Sequence, residues 1–172
     1  EITHRVYLIV GGIAWLGLAI LAATSTDGMV RRIGGLRWRR LHQAIYAIAL
    51  LAIIHYFQQT KADVTVPIFV ASLFVWLMAY RLLAWWRDTG ELSTLSLLAL
   101  SIVVSLLTFA GEAIGIAFRV SPLRVLDTMF DFEAGIRPGW QVLAAGLLVV
   151  AIDAVRARTA RTHPRRPAVA AE

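Results

Sequence analysis

Long apolar blocks alternate with short polar segments along this chain. Five blocks stand out, at residues 6–23, 41–57, 64–86, 92–118 and 140–155. A helix needs about 17–25 predominantly apolar residues to cross the hydrocarbon core of a membrane. Each block reaches or approaches that length, and the second and fifth are the shortest. The pattern predicts an all-α fold, an integral membrane helical bundle of about five transmembrane helices.

The composition excludes an ordinary soluble domain. Of the 172 residues, 59% are hydrophobic and only 16% are charged, and the mean hydropathy is +0.70. A soluble domain is usually about 45–50% apolar and about 25% charged. The chain has no cysteine, which excludes disulfides, thiolate metal sites and cysteine nucleophiles.

The net charge of +6 comes from arginines that flank the apolar blocks. We therefore expect membrane lipid, and no nucleic acid, beside these charges. Eleven basic residues fall on one predicted side of the membrane, namely Arg31, Arg32, Arg37, Arg39, Arg40, Arg87, Arg156, Arg158, Arg161, Arg165 and Arg166. Five fall on the other side, namely Arg5, Lys61, Arg119, Arg124 and Arg137. Because cytoplasmic loops are enriched in basic residues, this asymmetry places the C-terminus in the cytoplasm.

Two of the four histidines lie in the second apolar block. His42 is at its cytoplasmic start and His55 is near its outer end, which corresponds to about 20 Å along a helix. Imidazole is a common axial ligand of haem iron. Two such ligands at two depths would place two haems in series across the membrane. His4 and His163 lie outside the blocks and are most simply solvated.

The residues alone leave a second interpretation open. His42 could be an interfacial residue beside Arg39 and Arg40, and His55 could hydrogen-bond a neighbouring helix. The thirteen positions between them also turn an ideal helix by about 1300°, so that the two rings would point about 140° apart. The two rings therefore cannot face one flat neighbour unless the helix bends or each haem is approached from a different side.

A motif around these histidines resembles a known family. Its elements are Thr24-Ser25-Thr26, a predicted basic loop at 31–40, Trp38-Arg39-Arg40-Leu41-His42, Tyr46 and His55-Tyr56. Together they are similar to the haem-binding membrane subunits of the periplasmic methionine-sulfoxide reductase system. That family, MsrQ or YedZ, lies within the ferric reductase-like transmembrane superfamily. The resemblance covers residues 2–87 well, and the last two blocks resemble only its longer members.

The resemblance implies a membrane cytochrome b that takes electrons from the quinone pool or a flavin donor. It would pass them to a periplasmic, molybdopterin-containing reductase subunit that repairs oxidised methionines. The protein would then be an electron-transfer subunit of the bacterial inner membrane rather than a catalytic subunit on its own. Carried onto this chain, His42 is the inner axial ligand of haem iron and His55 the outer one. The family is also associated with FMN, for which no residue can be assigned.

The chain departs from the family pattern at its start, which corresponds to the family's fourth helix. We therefore expect residues 1–156 to be a ferric reductase-like transmembrane region without its N-terminal helices, followed by a basic, disordered cytoplasmic tail at 157–172. The second ligands of one or two haem b groups would lie on the missing helices. No glycine-rich dinucleotide fingerprint occurs in these residues, so electrons would come from a separate donor. The alternatives are a metal-reductase-like transmembrane cytochrome and a non-redox helical scaffold or transporter piece.

Other ionisable residues in the apolar blocks have simpler interpretations. Glu112 could serve a quinone or proton site, but Arg119 is nearly in phase with it and favours a two-turn pairing or snorkelling. Asp153 is expected to pair with Arg156 at three residues' spacing. The apolar spacing within residues 120–137 is typical of a short amphipathic turn in the membrane interface.

The arginine asymmetry predicts how single-cysteine variants will label. The cysteine of Asp131→Cys should react with a membrane-impermeant maleimide in intact spheroplasts, because its segment is expected outside. The cysteine of Arg37→Cys should react only after the membrane is opened. The chain has no native cysteine, so each product reports one position. Labelling of position 131 only in opened membranes would contradict the orientation.

Overall fold

Helices make up the computed structural model, which describes residues 2–60, 63–88, 90–117, 130–133 and 135–162. In chain order they are α1 (Ile2–Ala23), α2 (Asp27–Ile33), α3 (Gly35–His42), α4 (Ile45–Gln59), α5 (Thr65–Trp86), α6 (Thr94–Ala117) and α7 (Pro138–Thr162). The described residues contain no strand. Five segments are long and apolar enough to cross a membrane: α1, α3 with α4, α5, α6 and α7. The predicted all-α membrane fold with five spans is confirmed.

The second predicted span is interrupted just after His42. α3 ends there, and Gln43 and Ala44 form a turn before α4 begins. Both turn residues keep helical dihedral angles, but the Ala44 N–H bonds to the Leu41 carbonyl oxygen at 3.0 Å. That bond spans three residues rather than four, as in a 3₁₀ turn. His42 and His55 therefore lie on two consecutive helices and not on one uninterrupted helix.

The basic segment between the first two spans is helical and not a loop. Thr26 caps the start of α2, where its hydroxyl accepts the Met29 N–H at 3.3 Å. Gly34 joins α2 to α3 with a φ of 86°, a left-handed conformation that glycine adopts without steric cost. The arginines of both helices are exposed, as expected of charged groups beside a membrane.

The helices divide into two compact units, Glu1–Pro67 and Ile68–Glu172. In the first unit, α1 packs along α4. Gly17 allows a close contact, since a Cβ at that position would lie 2.7 Å from Cδ1 of the buried Ile48. Membrane helices often meet at small residues, because lipid tails are as apolar as leucine and only close packing favours helix over lipid.

In the second unit, α6 is the most buried span and packs against α7. At Gly146 of α7, a Cβ would collide with the side chain of Ser101. At Gly139, a Cβ would lie 2.5 Å from the Phe109 ring. Val142 lies between the two glycines and is fully buried. The two glycines therefore permit the close contact between α6 and α7.

A column of hydroxyl side chains on α6 is buried in the second unit. Ser101, Ser105 and Thr108 recur at helical spacing, and each is at most 5% exposed. Ser101 accepts the indole N–H of Trp76 on α5 at 3.2 Å, and Ser105 donates to the Gly139 carbonyl oxygen at 2.8 Å. Buried polar groups are costly unless they are hydrogen-bonded. These bonds therefore connect α6 to both of its neighbours.

Large apolar side chains on the outer faces of the spans are exposed. Leu8 and Trp15 on α1 are 60% and 68% exposed, and Trp85 and Trp86 on α5 are 77% and 79% exposed. Exposed apolar surface of this extent suits contact with membrane or protein rather than water. Trp85 and Trp86 lie at the end of α5, the position where tryptophans anchor spans in the membrane interface.

The last helix continues beyond the predicted end of the fifth block. α7 runs to Thr162, into the segment expected to form the tail, because alanine and arginine both favour helix. Residues 163–172, with His163, lie outside the described residues, as do Lys61, residues 118–129 and the side chain of His4. Most of the predicted amphipathic turn therefore also lies outside them.

Replacing Gly146 with alanine should destabilise the second unit by about 1–3 kcal/mol, because the added methyl group forces α6 and α7 apart. Gly111→Ala on α6 is the matched control, since a Cβ there meets no described atom within 4 Å. Thermal unfolding in detergent, followed by circular dichroism, compares the two variants. Equal unfolding temperatures would contradict the tight contact at Gly146.

Candidate haem-binding site

His55 is held by the backbone of α1. Its Nδ1 lies 2.9 Å from the carbonyl oxygen of Tyr7. A carbonyl oxygen only accepts hydrogen bonds, so Nδ1 carries the ring proton and donates it. The neutral ring then has Nε2 as its unprotonated nitrogen. Within the described residues, Nε2 has no hydrogen-bond partner.

Gly11 provides the space that this contact needs. It lies one helical turn after Tyr7, and a Cβ on Gly11 would be 2.5 Å from Cε1 of His55 and 2.8 Å from both ring nitrogens. Carbon atoms in favourable contact are about 3.5–4.0 Å apart, so a side chain at this position would displace the imidazole. The Tyr7 ring lies on the same side, with its centroid 5.8 Å from that of His55 and the planes 22° apart.

This arrangement fits axial ligation of a haem iron. A metal-binding histidine almost always donates its other ring N–H to a carbonyl, carboxylate or water, which fixes the tautomer and the orientation of the ring. His55 already makes that bond through Nδ1 and leaves Nε2 for a metal. The ring is half-buried near the end of α4.

His42 is held through the opposite ring nitrogen. Its Nε2 lies 3.1 Å from Oγ1 of Thr24, and the same hydroxyl donates to the Ile20 carbonyl oxygen at 2.8 Å. A hydroxyl has one proton, so Thr24 accepts the hydrogen bond from the imidazole N–H. Nδ1 is then the unprotonated nitrogen of His42, the reverse of the arrangement at His55.

Trp38 completes a small cluster around His42. Its ring stacks on the imidazole with centroids 4.1 Å apart and planes 26° apart. Its indole N–H donates to the Thr24 carbonyl oxygen at 2.7 Å. The Trp38 side chain is half-buried against these two residues. Thr24 therefore links the end of α1 to two side chains of α3.

Both histidines contact α1 or its immediate end, although an ideal helix would turn them apart. Their partners, Tyr7 and Thr24, are separated by about 25 Å along a helix. The turn at Gln43 and Ala44 lies between the two rings, and the two rings reach different ends of α1. The two imidazoles are presented at two depths along the same helix.

Two kinds of residue at this site were not assigned a role from the sequence. Thr24 and Trp38 belong to the motif that carried the family resemblance, and their place in it was the available signal. Tyr7 and Gly11 had no such signal, because Tyr7 contributes its carbonyl oxygen and a ring beside the imidazole, and Gly11 contributes the absence of a side chain. Neither contribution can be recognised without knowing which helix packs against α4.

Glu112 pairs with Arg137, and the expected partner Arg119 lies outside the described residues. One carboxylate oxygen is 2.9 Å from the Arg137 guanidinium, and Glu112 is only 6% exposed. The other oxygen is buried without a hydrogen-bond partner among the described residues.

Asp153 accepts a hydrogen bond from Thr94 at 2.7 Å. The sequence predicted instead that Asp153 pairs with Arg156 within α7. Both acids therefore connect α6 to the segment that begins or forms α7.

Comparison with known proteins finds relatives among MsrQ haem-binding subunits. The chain is 46% identical over 82 residues to the protein-methionine-sulfoxide reductase heme-binding subunit MsrQ of Rhodospirillum rubrum. The aligned residues cover 48% of this chain and 39% of that protein. It is 40% identical over 92 residues to MsrQ of Bordetella pertussis, covering 52% and 44%. For MsrQ of Klebsiella pneumoniae it is 46% identical over 90 residues, covering 51% and 45%.

The matched part spans less than half the length of these curated relatives. No family model matches the chain, and no solved structure matches it. The resemblance inferred from the motif around His42 and His55 is nevertheless confirmed by several relatives at 40–46% identity. Over about half of its length, this multi-pass membrane chain is a partial match to the MsrQ haem-binding subunits.

Proposed function

We propose that the protein is a membrane electron-transfer subunit of the cytochrome b type. It would carry electrons from the quinone pool or a flavin donor to a periplasmic methionine-sulfoxide reductase. The observation that carries the proposal is the state of His55, with Nδ1 bound to a carbonyl and Nε2 left for a metal. Similarity to haem-binding subunits supports haem as the group that this nitrogen would bind.

His55 and His42 are the residues that would hold haem iron as axial ligands. A bound haem b supplies one-electron chemistry at its iron. The chain's own contribution is to orient the imidazoles and to surround them with apolar helices that limit access of water. The second axial ligands of one or two haems would come from helices that are not part of this sequence, and FMN remains an expectation from the family.

The two histidines are unequally prepared for a metal. His55 can bind through Nε2 and keep its hydrogen bond to Tyr7. His42 can bind through Nε2 only if that nitrogen gives up the Thr24 hydroxyl and its proton. A hydrogen bond of this kind contributes about 0.5–1.5 kcal/mol net. His55 is therefore the stronger candidate ligand of the two.

The direction of transfer in this proposal rests on the arginine asymmetry. Exposed arginines of α2 and α3 lie on the side of His42, and we expect that side to be cytoplasmic, in the bacterial inner membrane. The C-terminus would share that side. His55 would then be the outer ligand, next to a periplasmic, molybdopterin-containing reductase subunit. Electrons would enter near His42 and leave near His55.

His55→Ala should remove the outer haem from the complete protein and block reduction of the periplasmic partner. Haem content per protein and the reduced-minus-oxidised absorption spectrum in detergent measure the first effect. The rate of haem reoxidation by the reductase measures the second. His163→Ala, a histidine beyond the last span, is the control and should change neither. Full haem content and a normal transfer rate in His55→Ala would remove this residue from the proposal.

His42→Ala should have the milder effect, because its Nε2 is already bound to Thr24 and its position near the interface allows water to replace it. We expect slower reduction of the haem from the cytoplasmic side, with most of the outer haem retained. Stopped-flow reduction by a quinol analogue, compared with His55→Ala under the same conditions, tests this order. A larger haem loss in His42→Ala than in His55→Ala would contradict it.

A further inference from the structure

We propose that the α1 backbone at Tyr7 and Gly11 is the positioning element for the outer haem ligand. In this proposal the Tyr7 carbonyl oxygen determines which nitrogen of His55 is protonated. Because Gly11 has no side chain, the ring can lie against α1 in the plane that this hydrogen bond requires. The inference rests on the proposed function, since it names what prepares His55 for iron. It assigns a role to two residues that have no metal-binding atoms of their own.

The acceptor for His55 is a backbone oxygen inside a helix, the carbonyl oxygen of Tyr7. In an α-helix, the carbonyl oxygen of Tyr7 already accepts the N–H of Gly11 one turn later. The imidazole Nδ1–H adds a second hydrogen bond to the same oxygen, at 2.9 Å. A carbonyl oxygen has two lone pairs and can accept both. The ring reaches this oxygen only by lying directly against the turn that contains Gly11.

The space beside Gly11 limits where the His55 ring can lie. A Cβ on Gly11 would be 2.5 Å from Cε1 of His55, and it would crowd both ring nitrogens equally, at 2.8 Å. The ring is rigid, so it cannot relieve the contact by folding away as a flexible side chain could. Either the imidazole rotates or α4 moves away from α1. Both movements lengthen the hydrogen bond to Tyr7.

The hydrogen bond to Tyr7 also affects how Nε2 of His55 would bind a metal. A hydrogen bond from Nδ1–H to an acceptor fixes the tautomer and increases the basicity of Nε2 as a ligand. A more basic ligand stabilises ferric over ferrous iron, which lowers the reduction potential. Loss of the bond should therefore weaken haem binding and make the midpoint potential of the remaining haem more positive. The α1 backbone would set both properties at a distance from the iron.

Three glycines of α1 provide a matched test in the complete, haem-loaded protein. Gly11→Ala should weaken haem binding by about 10–100-fold, as is typical when a partner of a metal ligand is lost. Its residual haem should have a shifted low-spin electron paramagnetic resonance signal and a more positive midpoint potential. Gly12→Ala adds the same methyl group where nothing lies within 4 Å. Gly17→Ala disturbs the same helix pair at Ile48, away from His55.

The controls separate the possible outcomes. If Gly12→Ala and Gly17→Ala keep the wild-type spectrum and potential while Gly11→Ala does not, the positioning role is supported. If Gly11→Ala keeps wild-type haem affinity, resonance signal and potential, the proposal is overturned. An absence of any haem b signal in the wild type would instead overturn the proposed function. Loss of haem in His55→Ala with no change in Gly11→Ala would leave His55 as a ligand and reject its positioning by α1.

A measurement on the unsubstituted apo-protein covers the case in which Gly11→Ala does not fold. Nitrogen NMR of isotope-labelled histidine distinguishes a ring protonated at Nδ1 from one protonated at Nε2, and histidine-to-glutamine variants assign the signals. We expect the Nδ1–H tautomer for His55 and the Nε2–H tautomer for His42. The Nε2–H tautomer at His55 would overturn the proposal.

Discussion

The close approach of α1 and α4 at Gly11 is the contact on which the candidate site depends. Because Gly11 has no Cβ, the His55 ring reaches a carbonyl oxygen of the preceding turn, and because Gly17 has none, Ile48 packs against α1. Between membrane helices the hydrophobic effect offers little net attraction, so local packing and hydrogen bonds decide which faces meet. The orientation of the imidazole is therefore a product of helix packing, and not of α4 alone.

The second unit uses the same small-residue packing to a different end. Gly139 and Gly146 bring α7 against α6, and the hydroxyl side chains buried on α6 are bonded to protein partners, as Ser105 is to the Gly139 carbonyl. Hydroxyls that are satisfied in this way stabilise a helix contact, and their one proton is no longer available to a ligand. At His55, by contrast, one ring nitrogen is bonded and the other is left over. That difference separates a structural polar contact from a candidate ligand site.

The sequence predicted what depends on local pattern, and it missed what depends on which helices meet. The five spans follow from runs of apolar residues, and His42 and His55 follow from their place in a motif. The contacts of the two rings could not be predicted, because they depend on the packing of α1 along α4 and on the position of Thr24 at the end of α1. The pairing of Glu112 with Arg137 was missed for a related reason. Spacing along one helix points to residues in phase with Glu112, whereas Arg137 is separated from it by a long connection in the sequence.

The opposite tautomers of the two histidines imply an order in which they would take up iron. A metal at Nε2 of His55 would leave the hydrogen bond from Nδ1 to the Tyr7 carbonyl oxygen intact, so no free energy would be lost by breaking that bond. A metal at Nε2 of His42 must displace the Thr24 hydroxyl, and the proton must move to the other ring nitrogen or leave. With about 1.4 kcal/mol for each factor of ten, a hydrogen bond worth about 0.5–1.5 kcal/mol weakens the inner site by about two- to tenfold. The stacked Trp38 ring also restricts rotation of His42 about its side chain. In the proposed function, His55 would therefore bind a metal through Nε2 more readily than His42 would.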